Sequence, residues 1–155
     1  MVSRIAPSTP EQRSPAADHA AIRFVIAANW VSPALARKHI RTWLGELDWP
    51  RRHIDELVLA VSEIISNSIE HGYGVSVERP APSAGVVEVD GHVAVDDAGL
   101  RRATVTVTDH GRWREPAPGP SNRGRGTLLA RACTEGLITE HRGDGTTVTM
   151  LSRPV

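Results

Sequence analysis

Between positions 51 and 71 the apolar residues Ile54, Leu57, Val58, Val61, Ile64, Ile65 and Ile69 recur every three or four residues. That spacing gathers side chains onto one face of an α-helix. Glu56, Glu63, Asn67 and Glu70 fall in a narrow stripe opposite. An earlier helix is predicted from Ser32-Pro33, an N-cap followed by proline at the first helical position, to about residue 47. Its inward positions are Leu35, Ile40, Trp43, Leu44 and Leu47, and Asp48-Trp49-Pro50 ends it. Elsewhere the period falls to two. Strands are predicted at 22–28, at 86–95 (a strand or hairpin arm), and most clearly at 103–109, with a turn at Asp96-Asp97-Ala98-Gly99 between the last two. A third helix follows Gly126, through Leu128, Leu129 and Ala132, with Cys133 on its apolar face. Strands at 137–142 and 146–151 are joined by Gly143-Asp144-Gly145, a hairpin signal. This order predicts an α+β two-layer sandwich, with helices on one face of a mixed, mostly antiparallel sheet.

Residues 1–19 hold Pro7, Pro10 and Pro15 with little apolar periodicity, and read as a disordered tail ahead of one domain at 20–155. The connection at 72–84 carries Gly, Pro and Ser, and the stretch 75–102 is long enough to suggest an added hairpin.

Composition narrows the function classes. Eighteen basic residues balance eighteen acidic ones, so no electrostatic footprint argues for nucleic acid or an anionic membrane. Lys38 is the single lysine, which removes a P-loop kinase, whose glycine loop needs one. A lone cysteine, Cys133, excludes an internal disulfide framework and a cysteine zinc cluster. No apolar run approaches the roughly 20 residues of a membrane span, and no signal-peptide segment opens the chain. The expectation is a soluble, cytoplasmic protein. The seven histidines contain no His-x-x-x-His pair, and His39, His53 and His92 read as surface residues.

Three stretches carry candidate chemistry. In ATVTVTDHGRW, strand alternation places Asp109 on the face of Val105 and Val107, opposite Thr104, Thr106 and Thr108. A buried carboxylate needs a partner. The backbone of the following turn satisfies it, or it accepts a hydrogen bond from a ligand amino group, with Gly111 letting that ligand come close; the residues leave both readings open. In NRGRGTLLARAC, Gly124 and Gly126 stand at a helix threshold, where free N–H groups suit phosphate and Arg123 and Arg125 add charge. A flexible loop feeding a helix is the plainer reading. In SEIISNSIEHGYG, Glu63 and Asn67 lie one helical turn apart. The Asn carbonyl is a hard oxygen suited to Mg²⁺ that phosphates also hold. The Glu is placed to take a proton. In GDGTTVTML, Thr146 and Thr147 are strand formers, and either hydroxyl is available to a ligand.

Each signal is modest, but their order is specific. It resembles the N, first glycine, second glycine and terminal Gly-Thr boxes of the GHKL ATP-binding superfamily, the Bergerat fold. LAVSEIISNSIEHGYG is similar to the N box of anti-sigma-factor serine kinases, and RGRGTLLARACTEGLITEHRGDGTTVTML to their C-terminal half. The resemblance spans about residues 22–151. It implies that Asn67 ligands Mg²⁺ bridging the ATP phosphates and that Asp109 accepts from the adenine amino group, with Gly111 in the turn below. It implies that Gly124 and Gly126, with Arg125 between them, face the phosphates at the end of an ATP lid. Thr146 would support the adenine site, and Glu63 would be the general base. The chain departs from the pattern at Trp113, where a second glycine belongs, and in a short proline-rich lid at about 112–123.

The implied function is an ATP-binding serine kinase and anti-sigma factor. It would phosphorylate an anti-sigma antagonist of STAS type and sequester a sigma factor, with relatives suggesting a homodimer. The alternative, favoured by Trp113, is a non-catalytic protein-binding module with weak or lost ATP binding. A third expectation is a domain excised from a larger regulator. A sensor histidine kinase is disfavoured because the region before the domain leaves no room for a phosphoacceptor helix. An exposed Trp43 or Trp49 would suit partner docking, whereas buried rings would fill the core.

Overall fold

The computed structural model describes residues 20–75, 78, 84–112 and 124–155. The expected tail at 1–19, Trp113 and the lid beyond Arg112 lie outside them. Five strands and three α-helices follow in the order β1 (Ala21–Ala27), α1 (Ser32–Glu46), α2 (Arg51–Asn67), β2 (Val86–Val95), β3 (Arg101–Asp109), α3 (Arg125–Ala132), β4 (Gly136–Arg142) and β5 (Gly145–Leu151). The strands form one sheet, β1-β2-β3-β5-β4, and every pairing among the described strands is antiparallel.

Strand alternation gives the sheet two unlike faces. The inner face carries Ile22, Phe24 and Ile26 of β1, Val87 and Val89 of β2, Val105 and Val107 of β3, Val148 and Met150 of β5 and Leu137 of β4. The outer face carries Thr104, Thr106, Thr108, Thr147 and Thr149, with hydroxyl pairs Thr106–Thr149 and Thr108–Thr147 at 3.4 Å. Gly91 interrupts β2 because a Cβ there would stand 2.9 Å from the Trp43 ring and 2.8 Å from Ile22.

The apolar face running along α2 and into the turn that follows is buried at every predicted position, Ile54, Leu57, Val58, Val61, Ile64, Ile65 and Ile69. α1 buries Ala36, Ile40, Trp43 and Leu44. Leu35, expected inward, is exposed and Leu47 only half-buried. Trp43 and Trp49 fill the core, so neither offers a docking surface. The Arg101 guanidinium lies 4.8 Å from the Trp49 ring centre and donates to the Leu47 carbonyl at 2.7 Å. The α1 start is capped from further back than expected: the Asn29 side-chain oxygen accepts from the backbone N–H of Val31 and Ser32 and from the Ser32 hydroxyl. α3 is thinner than its leucines suggested. Leu128 and Leu129 are exposed, Ala130 is the buried residue, and Cys133 is half-buried just past the helix end. Of the histidines expected at the surface, His92 is exposed, but His39 stacks on Phe24 at 4.7 Å and His53 is half-buried.

Among the described residues the long stretch before β3 contains no added hairpin. Its length is taken up by β2, which turns at Asp96–Gly99 into β3, and the Asp96 carboxylate accepts from the Ala98 and Leu100 N–H groups.

Candidate functional site

The polar stripe of α2 leads into a π-helical turn, Ser68–Gly72. One extra residue in that turn widens the helix, a feature that recurs at functional sites. Here it turns Asn67, Ser68, His71 and Gly72 toward a cavity of about 350 Å³ between the helix layer and one end of the sheet. The opposite wall is sheet. Asp109, Thr146 and His141 stand in one cross-strand row on the inner face, because Asp109 pairs with Thr146 and Thr146 with His141. Gly124, Thr127 and Arg131 of the α3 region close a third side.

Asp109 is 2% exposed and so needs partners. One oxygen accepts from the Gly111 N–H at 3.1 Å. That is the turn contact foreseen as one of two readings, yet the same carboxylate also lines the cavity. Gly111 has a packing role as well. A Cβ on it would fall 2.2 Å from the Gly72 carbonyl oxygen, so its bareness lets the strand end pack against the π-helical turn. Gly72 is held less closely, 3.0 Å from an Asp109 oxygen at the same test. Tyr73 locks the corner: its hydroxyl donates to the Val86 carbonyl at 2.6 Å and accepts the His110 N–H at 2.9 Å. Burial raises its phenol above the usual value of 10.0.

At the other end, Asn67 donates from its amide nitrogen to the Thr127 hydroxyl at 3.3 Å. That bond aims the amide nitrogen, rather than the carbonyl oxygen, at Thr127. Gly126 touches both residues of the stripe: a Cβ there would stand 2.6 Å from a Glu63 carboxylate oxygen and 3.6 Å from each polar atom of the Asn67 side chain. Gly124 has φ 119°, a left-handed value that suits glycine, immediately before α3.

The residues expected at a site therefore separate into groups. Asn67, Asp109, Gly124 and Thr146 line one cavity. Glu63 and Gly126 meet beside it, Gly111 stands behind Asp109, and Arg125 is exposed with no place in the lining. The strand register also decides between the two threonines: Thr146 faces the cavity, whereas Thr147 faces outward to Thr108. Thr127, His71, Arg131 and His141 were not anticipated. Thr127 directly follows the Gly-x-Gly, and His71 is one turn beyond Asn67, so both lay within reach of the sequence.

Residues 26–151 match the family described as the histidine kinase-like ATPase domain. The chain belongs to that family. Its fold is similar to that of the solved RsbU and RsbW domains of Rv1364c from Mycobacterium tuberculosis, with 25% identity and a TM-score of 0.61. That match covers 86% of this chain and 32% of the other, so this domain spans about a third of that protein's solved length. The histidine kinase domain of a blue-light activated histidine kinase from Erythrobacter litoralis matches with 20% identity, a TM-score of 0.44, and coverage of 86% and 67%. For this histidine kinase-like ATPase domain the antiparallel sheet and the helix layer agree with the GHKL resemblance.

The residues suit a magnesium nucleotide. The cavity lies within the size range of small-ligand sites, about 300–1,000 Å³. It has an acceptor-only carboxylate at one end and the N-terminus of α3 at the other. No cluster of three His, Cys, Asp or Glu among the described residues offers a cation site of its own. A lone Asn oxygen instead matches Mg²⁺ carried in largely by phosphates and water. No helix among the described residues is long and apolar enough to cross a membrane.

Proposed function

We propose that this domain binds ATP with Mg²⁺ and transfers the γ-phosphoryl group to a serine of an anti-sigma antagonist of STAS type, acting in the cytoplasm. On this reading it holds a sigma factor while that antagonist is inactive, as a homodimer. The observation that carries the proposal is the placement of Asp109 and Asn67 on two walls of one cavity, with Glu63 one turn from Asn67 and against the first turn of α3. The likeness to a solved chain containing an RsbW domain is in keeping with the resemblance to anti-sigma-factor kinases.

The residues divide the work. Asp109 accepts from the adenine amino group through the oxygen that the Gly111 N–H leaves available. Thr146 supports the base beside it. Asn67, held by Thr127, would supply one oxygen to the cation, which would offset charge on the phosphates. Gly124 and Gly126 present backbone N–H groups at the start of α3. Glu63 accepts the proton as the serine oxygen forms its bond to phosphorus and the bond to ADP breaks.

Calorimetric titration of ATP with Mg²⁺ into the purified chain, beside Asp109→Asn, tests the reading. Binding that the variant abolishes supports it, and Glu63→Ala should then keep binding but lose transfer to the antagonist. Binding without any transfer by the native chain would instead favour a non-catalytic docking module. No heat at millimolar ATP would overturn the nucleotide reading.

A further inference from the structure

Ser68 has no part in the roles above, yet it lines the cavity and is only 7% exposed. The described residues hold six other buried polar side chains, Ser32, Ser62, Asp109, Thr134, Thr146 and Ser152. Each of those six has a hydrogen bond within the protein. The Ser68 hydroxyl has none to any described residue. A serine in a helical turn commonly returns its hydroxyl to a carbonyl one turn back, as Thr134 does to Ala130 at 2.8 Å; Ser68 does not. Its backbone N–H is already satisfied by the Ile64 and Ile65 carbonyls. The hydroxyl alone is open, and a buried hydroxyl calls for a partner. Its place on the wall limits what that partner is. Ser68 directly follows Asn67, and Gly72, four residues on, is where the helix wall meets Asp109. A base whose amino group reaches Asp109 therefore lies along the turn that carries Ser68.

We propose that the Ser68 hydroxyl donates to a ring nitrogen flanking the amino group that Asp109 accepts from, so that Ser68 and Asp109 together select the base. This deepens the proposed function and rests on adenine binding at Asp109. An ionised carboxylate only accepts, whereas a serine hydroxyl also donates. An acceptor and a donor in one cavity match an amino group next to a bare ring nitrogen. Adenine carries that pattern on both sides of its amino group, at N1 and at N7. Asp109 alone asks only for an amino group; Ser68 adds a demand on the ring beside it. A site that hydrogen-bonds a ligand atom in this way discriminates against analogues lacking the atom. The contact is made to the base, so its contribution is the same with and without Mg²⁺. The free protein gains no hydrogen bond from this hydroxyl, so its removal leaves the fold no less stable.

The test is calorimetric titration of ATP, 1-deaza-ATP and 7-deaza-ATP, with and without Mg²⁺, into the native chain, Ser68→Ala and Asp109→Asn, beside thermal unfolding of each free chain. Each deaza analogue replaces one flanking ring nitrogen with a C–H group. One neutral hydrogen bond corresponds to about three- to tenfold in affinity. The native chain should bind one of the two analogues more weakly than ATP by that factor. Ser68→Ala should bind ATP more weakly by the same factor and should no longer separate ATP from that analogue. The loss should be equal with and without Mg²⁺, and free Ser68→Ala should melt at or above the native temperature. Native ATP affinity in Ser68→Ala, native discrimination retained in that variant, or a native chain that binds both analogues as tightly as ATP would overturn the inference. A loss seen only with Mg²⁺ would assign the hydroxyl to the cation, and a lowered melting temperature would assign it to the fold; either overturns it too. All of these leave adenine at Asp109 intact when Asp109→Asn abolishes ATP binding. ATP binding unchanged in Asp109→Asn would overturn the underlying reading as well.

Discussion

Replacing Gly126 with alanine separates two functions that the cavity holds close together. The new Cβ would stand 2.6 Å from a Glu63 oxygen, about 0.8 Å short of ordinary contact at 3.4 Å. The same Cβ would be 3.6 Å from the Asn67 amide atoms, which is comfortable. Glu63 must therefore give way, and as the end of a flexible side chain it can do so cheaply, while Asn67 stays. Gly126 is not among the glycines with positive φ, so alanine meets no backbone strain. Alanine also raises helix propensity by about 1 kcal/mol in a helix interior, and by less in this first turn. Gly126→Ala should thus be as stable as the native chain or slightly more so. Its Mg²⁺-ATP affinity should stay within about threefold, a change of less than a kilocalorie per mole. If Glu63 is the general base proposed above, moving it by nearly an ångström should lower phosphoryl transfer by about 10²-fold. Thermal unfolding, calorimetry and single-turnover transfer to the antagonist measure the three quantities. Undiminished transfer would refute a proton-accepting role for Glu63 at this position. A stability loss above about 2 kcal/mol would refute the claim that only a side-chain end is displaced.

Gly111→Ala should behave in the opposite way, since its Cβ would meet backbone, 2.2 Å from the Gly72 carbonyl oxygen; denaturant unfolding should show a loss of about 2–3 kcal/mol or more, with ATP binding falling alongside. Thr127→Val removes the acceptor of the Asn67 amide and should weaken Mg²⁺-ATP by about three- to tenfold, while affinity for ATP without the cation changes less. Tyr73→Phe loses a donor to Val86 and an acceptor for His110, for a cost of about 1–3 kcal/mol by thermal unfolding. Because burial raises the Tyr73 phenol, the fold holds the neutral form. Its contribution is complete below the usual 10.0 and is lost as pH rises from there through the folded value; Tyr73→Phe should flatten that alkaline decline.

Much of this domain was legible from local periodicity. The seven apolar positions between 54 and 69 are buried as their spacing required, and Asp109 follows Val105 and Val107 inward because a strand alternates its side chains regardless of what lies across from it. Where the reading failed, the deciding contact came from elsewhere in the chain. Leu35 is exposed because the sheet and α2 cover only part of α1. Local spacing also could not show that Gly111 packs against Gly72, or Gly126 against Glu63, thirty-odd and sixty-odd residues away. His141 meets Thr146 through a register set by the two-residue turn Gly143-Asp144, and that register was countable from the turn outward. That Thr146 then faces Asp109 was not countable, because β3 and β5 are brought together only when α3 crosses over and the helix layer seals the sheet. Sequence alone determined which residues carry acceptors, hard oxygens and backbone freedom, since these are properties of single side chains. Only the tertiary structure decided which of them share a cavity, because that depends on the packing of surfaces distant in the chain.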